Sequence, residues 1–244
     1  MKLPLHGLAL LSTIGVAAVS ACSSSNAGGP QVSPKQAQDD FVATFTRGAY
    51  DQVDAQLAAL DAAYQQNPND PRTTVLLGLA NLWGVAEGAR VNLSGARQGQ
   101  LALDGLHYLD LAAQLNPDDA RIPGWIGTVS VRIATATNDA RLLQDGIASV
   151  DQGMSRFPAF NGFPEMIVHS LSDATSPDYD KGLESGWAVM GACAGTTIDR
   201  TNPDFSPYMS RWTSTGDLRV CFNPPTAVHN FEGFNLQMGD MQVK

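Results

Sequence analysis

The chain is short of cysteine, of basic residues and of strand-like alternation, and each shortage removes a class of protein. Three cysteines in 244 residues, with no Cys-x-x-Cys, leave no redox pair and no c-type haem attachment. Fifteen Lys and Arg stand against 24 Asp and Glu, a formal charge of −9, with no basic run. An acidic surface repels phosphates, which makes the chain a poor candidate for binding nucleic acid or anionic lipid, and no nucleic-acid partner is expected. No Gly-x-Ser-x-Gly, His-Glu-x-x-His or Gly-rich phosphate loop occurs, so no catalytic residue and no cofactor is assigned, and the chain does not read as an enzyme. The nearest approach to a metal site is His169 with Asp173, four apart on one helix face, followed by Asp178 and Asp180. Without further ligand spacing this reads as a helix end and an acidic loop, and no metal is assigned. His107 and His229 stand alone and read as structural, and Asn92-Leu93-Ser94 as a chance glycosylation match.

What is present is a 43% hydrophobic fraction, which argues against disorder, laid out at helical spacing. Ser33 and Pro34 open a helix that continues to about Arg47. Tyr50 to Gln66, Pro71 to Ala86, Gln98 to Leu115 and Asp119 to Ala136 follow, the last with Pro123 in its first turn. Asn138 is expected to cap Asp139 to Phe157. Phe163 to Leu171 and Tyr179 to Ala192 make a poorer pair. The fold class is therefore all-α.

Residues 1–21 are set aside from the fold. Lys2 precedes a short apolar run, Leu8 to Val19, closed by small residues: a secretory signal too short to span a membrane. Val19-Ser20-Ala21-Cys22 resembles a bacterial lipobox, which implies that Cys22 becomes the first mature residue and carries lipid. An ordinary signal peptide with Cys22 an incidental thiol is the alternative. Residues 22–33 begin with a Ser/Gly-rich run that reads as a flexible tether. Ser23 is not Asp, so the resemblance implies the outer membrane, facing the periplasm, with the membrane met through the lipid alone.

Three turns punctuate the helical part: Asn67-Pro68-Asn69-Asp70, Asn116-Pro117-Asp118-Asp119 and Phe157-Pro158-Ala159-Phe160. Before Pro117 come Gly105, Leu109 and Ala112; before Pro158, Gly146, Val150 and Gly153. Before Pro68 only Leu60 and Ala63 fit, with Gln56 in the first place. Leu77-Gly78 and Ile126-Gly127 lie nine and ten residues after their prolines, where Ile167 and Val168 follow Pro158. This small–large–small–Pro pattern with an aliphatic-Gly pair resembles the tetratricopeptide repeat, over about residues 50 to 170. It implies a degenerate α-solenoid of antiparallel hairpins across residues 34–192. The prolines stand 49 and 41 residues apart instead of about 34. The excess falls at the hairpin tips, as a loop from Glu87 to Gly99 in the longer interval and as extra helical turns in the shorter.

Residues 193–244 have a different texture, rich in Pro, Asn, Ser and Thr with Phe205, Tyr208, Trp212 and Phe222 spread through them. They are expected to form a cap over the solenoid end, with a final helix from Ala227 to Val243 that stops at Lys244 without a helix stop, as in a truncated chain. With Cys22 lipidated, Cys193 and Cys221 remain, and an exported chain with one such pair suggests a disulfide; two separate buried thiols are the alternative.

The resemblance further implies that the first helix of each hairpin lines a groove. Counting from the turn prolines places Arg72, Leu79, Leu82 and Trp83, and then Arg121 and Arg132, on that face. The arginines suit carboxylates and Trp83 an apolar floor, so the expected ligand is an unknown envelope protein or extended peptide, or a small carboxylated solute. Pairing of Arg72 and Arg121 with Asp70 and Asp119, with Trp83 in the core, is the competing reading. The implied role is protein–protein interaction in the cell envelope. A solute-binding accessory of a transporter, similar to the T-component of TRAP systems, is the second.

Overall fold

The computed structural model describes residues 33–201 apart from Ala89. Most of its helices start at a short capping side chain, at a first-turn proline, or at both. Ser33, Asp70, Ser94, Asp139 and Ser176 each accept hydrogen bonds from backbone N–H groups of the following turn. Pro34, Pro71, Pro158 and Pro177 occupy first-turn positions, where a missing N–H costs nothing. The result among the described residues is eight α-helices and no strand: α1 Pro34–Thr46, α2 Val53–Gln66, α3 Pro71–Glu87, α4 Gly95–Leu115, α5 Ile122–Thr137, α6 Ala140–Arg156, α7 Pro158–His169 and α8 Pro177–Ala194. A 3-10 turn, Tyr50–Gln52, leads into α2. No described helix is long and apolar enough to cross a membrane.

Several boundaries differ from the sequence reading: α5 starts at Ile122 instead of Asp119, α8 runs from Pro177 to Ala194, and three further differences have a local cause. The glycine-rich stretch is only partly loop, because α4 already begins at Gly95 under the Ser94 cap. Asn138 does not cap α6; it takes the left-handed conformation (φ 57°) that ends α5, and Asp139 caps α6. Helix α7 starts five residues before Phe163 and carries Pro164 inside it. The tether, most of the cap, the final helix, Cys22, Cys221 and the Cys193 side chain lie outside the described residues.

Each helix packs on the next, most extensively in the pairs α3–α4, α5–α6 and α7–α8, and α1, α3, α5 and α7 also pack one on another in that order. The pairs are antiparallel: Gly78 faces Leu109 while Gly84 faces Leu101. The glycines of the repeated pattern are the points of closest approach. A Cβ on Gly78 would lie 2.8 Å from Leu109 Cγ, and one on Gly127 would lie 2.5 Å from the Gly146 carbonyl oxygen. At Gly127 and Gly146 both partners are small and the backbones approach directly, whereas Gly78 leaves the space that Leu109 fills.

The core follows chain order. Phe41, Leu60, Leu77 and Trp83 close a cluster among α1, α2 and α3. Leu109, Ala112, Ile122 and Val129 close the next, across α4 and α5. Val131, Val150 and Val168 join α5, α6 and α7. Fully burying a side chain such as Leu60 or Leu109 contributes roughly 1.5–3 kcal/mol.

Polar side chains tie neighbouring hairpins at their turns. Gln38 of α1 donates to Asp70 and Thr73, at 2.7 and 2.9 Å, where α3 begins. Asn161 of α7 is fully buried, and its amide nitrogen lies within 3.0 Å of the carbonyls of Ala120, Gly153 and Phe157. Arg156 reaches back to the Pro117 and Asp118 carbonyls.

Candidate functional site

The residues assigned to a groove by position divide once their surroundings are seen. Trp83 is 3% exposed, with its ring edge-on to Phe45 at 5.2 Å and to Phe41 at 6.2 Å. It is core, so it provides no open floor. Leu79 packs against this first cluster and Leu82 against the second, each half-buried. Arg121 grips Asp119 through Nε at 2.7 Å and a terminal nitrogen at 2.6 Å. Burial works to raise the Asp119 pKa, but the Arg121 hydrogen bonds and the nearby Arg121 and Arg156 charges outweigh it and hold the carboxyl below its ordinary value. Arg72 lies 3.5 Å from Asp39 of α1, not from Asp70, whose carboxylate serves backbone N–H groups and Gln38. Arg132 makes no ion pair or hydrogen bond among the described residues. Water reaches it, yet desolvation by surrounding protein lowers its guanidinium pKa from the ordinary value. Of the six groove positions, Arg132 is the cation left for an outside carboxylate.

A second polar assembly joins α6, α7 and α8. Glu165, 2% exposed, accepts a hydrogen bond from Ser185 and lies 2.8 Å from Lys181 Nζ, which also reaches Asp151 at 3.0 Å. Desolvation works to lower the Lys181 pKa, but the hydrogen bonds and charges of Glu165 and Asp151 raise it on balance. The arrangement joins α6, α7 and α8 through Asp151, Glu165, Lys181 and Ser185. His169, which the sequence placed with Asp173 as a conceivable ligand pair, is buried here and its Nε2 has no partner. Among the described residues no group of three or more His, Cys, Asp or Glu side chains is placed to hold a metal.

The third feature is a cavity of about 510 Å³ between α2, α3 and α4. Asp54, Leu57, Ala58 and Asp61 form one wall, Arg97, Asp104 and Tyr108 the other, with Leu77 and Asn81 at the floor. The sequence reading passed over these residues because an isolated surface Asp carries no signal. The recoverable clue was the seven-residue spacing of Asp54 and Asp61 along α2.

No family model, curated protein or solved structure matches this chain. Its reading therefore rests on its own residues and their arrangement.

Proposed function

We propose that the chain is a non-enzymatic, lipid-anchored helical-repeat protein of the tetratricopeptide type, exported to the periplasmic face of the outer membrane, where it binds an envelope protein or an extended peptide. The observation that carries this reading is the order of packing. Successive antiparallel pairs pack in chain order, the second helix of each on the first of the next, with lesser contacts between odd-numbered helices, and glycines of the repeat pattern lie at the pair contacts. Such an array presents the odd-numbered helices as one continuous surface, and Arg132 on α5 is an unpaired cation there. The Val19-Ser20-Ala21-Cys22 segment supports the anchor and the Ser/Gly run the reach.

Affinity capture from crosslinked envelopes tests this, comparing the intact chain with Arg132→Glu. Loss of the captured partner with the melting temperature held within a degree or two is expected, since an exposed unpaired charge contributes little to stability. An identical captured set from both proteins overturns the assignment of this face.

A solute-binding role is the second reading, favoured by the cavity among α2, α3 and α4. The chemistry of that cavity is opposite to what a carboxylated solute requires.

A further inference from the structure

Helices α2 and α4 flank the cavity and meet across it through long side chains in one register. Arg97 meets Asp54 at 3.4 Å, an offset of 43 residues. The Tyr64 and Tyr108 rings meet edge-on at 5.3 Å with nearly the same offset, so the two helices are parallel across the cavity. Two turns beyond Asp54, about 10.5 Å along the axis, the next rung is Asp61 opposite Asp104. The first rung is an acid facing a cation; at the second the register brings two acids, the exposed Asp61 and the half-buried Asp104, to one level of the same cavity.

Nothing among the described residues relieves that second rung. Asp61 makes no hydrogen bond or ion pair there. Asp104 accepts only a neutral donor, Gln100, at 2.7 Å. The Tyr108 hydroxyl is held above its ordinary pKa by desolvation first, and then by the charges of Asp61, Tyr64 and Asp104. His107, exposed on the same helix, lies against the Tyr108 ring at 5.3 Å. Beneath the rung is Asn81, 4% exposed, whose side-chain nitrogen is committed to the Leu77 carbonyl at 2.8 Å. Its side-chain oxygen has no donor among the described residues. A nearly buried acceptor at the floor of a cavity, below two carboxylates and beside two aromatic rings, is a set of groups that a positively charged hydrogen-bond donor would complete.

We propose that the cavity between α2 and α4 binds a small alkyl polyamine, with one ammonium seated among Asp61, Asp104, Tyr108 and Asn81 Oδ1 and the methylene chain lying on Leu57, Ala58 and Leu77. The volume of about 510 Å³ suits a short polyamine, and Arg97 closes the Asp54 end so that the ligand has one orientation. Carboxylates fix the charge, the apolar floor selects an alkyl chain over a hydrated metal ion, and the rings add cation–π attraction. This inference does not rest on the scaffold reading, whose test residue, Arg132 on α5, lies outside this cavity.

Titration calorimetry of the full chain with spermidine, in buffer of moderate ionic strength, tests it. Saturable one-to-one binding is expected, weakened at least tenfold in Asp61→Asn and unchanged in Asp39→Asn, an acid outside the cavity. Asp104→Lys places an ammonium at the second rung from within the chain. It should abolish spermidine binding and raise the melting temperature, which separates loss of the site from loss of the fold. Magnesium at the same concentration should not compete. No heat with spermidine, undiminished binding by Asp104→Lys, or equal displacement by magnesium overturns the proposal. So does a lysine-containing peptide binding more tightly than spermidine through the same two aspartates, since it would make the occupant a partner chain.

Discussion

Gly127 and Gly99 are both helical, yet replacing them by alanine should have opposite effects. A Cβ at Gly127 meets Val150 Cγ2 at 2.4 Å and the Gly146 carbonyl at 2.5 Å; the second is backbone and cannot rotate away. Overpacking of this kind costs about 1–3 kcal/mol or more, against roughly 1 kcal/mol gained in helix propensity. Gly127→Ala should therefore lower stability by about 2 kcal/mol in urea unfolding. A Cβ at Gly99 meets nothing within 4 Å, so Gly99→Ala should raise stability by about 0.5–1 kcal/mol. Stabilisation by Gly127→Ala would refute the close α5–α6 contact. The pattern around the turn prolines makes Gly127 and Gly146 legible in the sequence itself, because a recurring small residue implies close approach. Asn161 is not legible there. Its amide serves three carbonyls from separate turns, and its oxygen would lie only 2.1 Å from a Cβ on Gly124, so its place depends on contacts distant in the chain.

Among the elements, the pairing of α7 with α8 departs most from the repeat, and its stability should depend on pH. Gly162 and Glu165 of α7 face α8, the first against Val189 and the second against Ser185 and Lys181, while Val168 turns to the cluster with Val131 and Val150. Helix α7 begins at Pro158, five residues before the expected Phe163, and includes Pro164. That proline lies within the helix beside Gly124, at the cost of one backbone hydrogen bond. His169 ends α7 in a buried place. Desolvation first, then the Lys181 charge, lower its pKa below the ordinary 6.5, with Glu165, Asp178 and Asp151 opposing in part. A base whose folded pKa is lowered binds fewer protons folded than unfolded across that window. Stability is thus full above 6.5 and falls as pH drops from 6.5 toward the native value, then levels off. Urea midpoints measured from about pH 7.5 to about pH 5.5 should fall for the wild type, and the slope should flatten in His169→Gln. An unchanged slope in that variant would remove His169 as the source.

At the scale of the whole molecule, the proposed anchor makes a separate prediction. Each buried methylene of an acyl chain contributes roughly 0.8 kcal/mol, so several chains on Cys22 would hold the protein at a membrane. Cys22→Ser should accumulate as unprocessed precursor and take up no labelled palmitate; normal processing of that variant, with no label in the wild type, would refute the lipobox reading. The all-α class and the approximate positions of the helices could be read from residues alone, because caps, prolines and helical spacing act within a few positions of chain. So could the small residues at the pair contacts, since their requirement recurs. The fate of the charged and aromatic side chains could not. Trp83 went to the core, Arg121 to Asp119 and Arg72 to Asp39, while Arg132 stayed unpaired. Asp61 and Asp104, 43 residues apart in a chain that gives neither any local distinction, line one cavity only because α2 and α4 lie parallel over α3. Local rules govern where a helix forms, but a charge is made a site by what lies across from it, and that is a property of packing between distant segments.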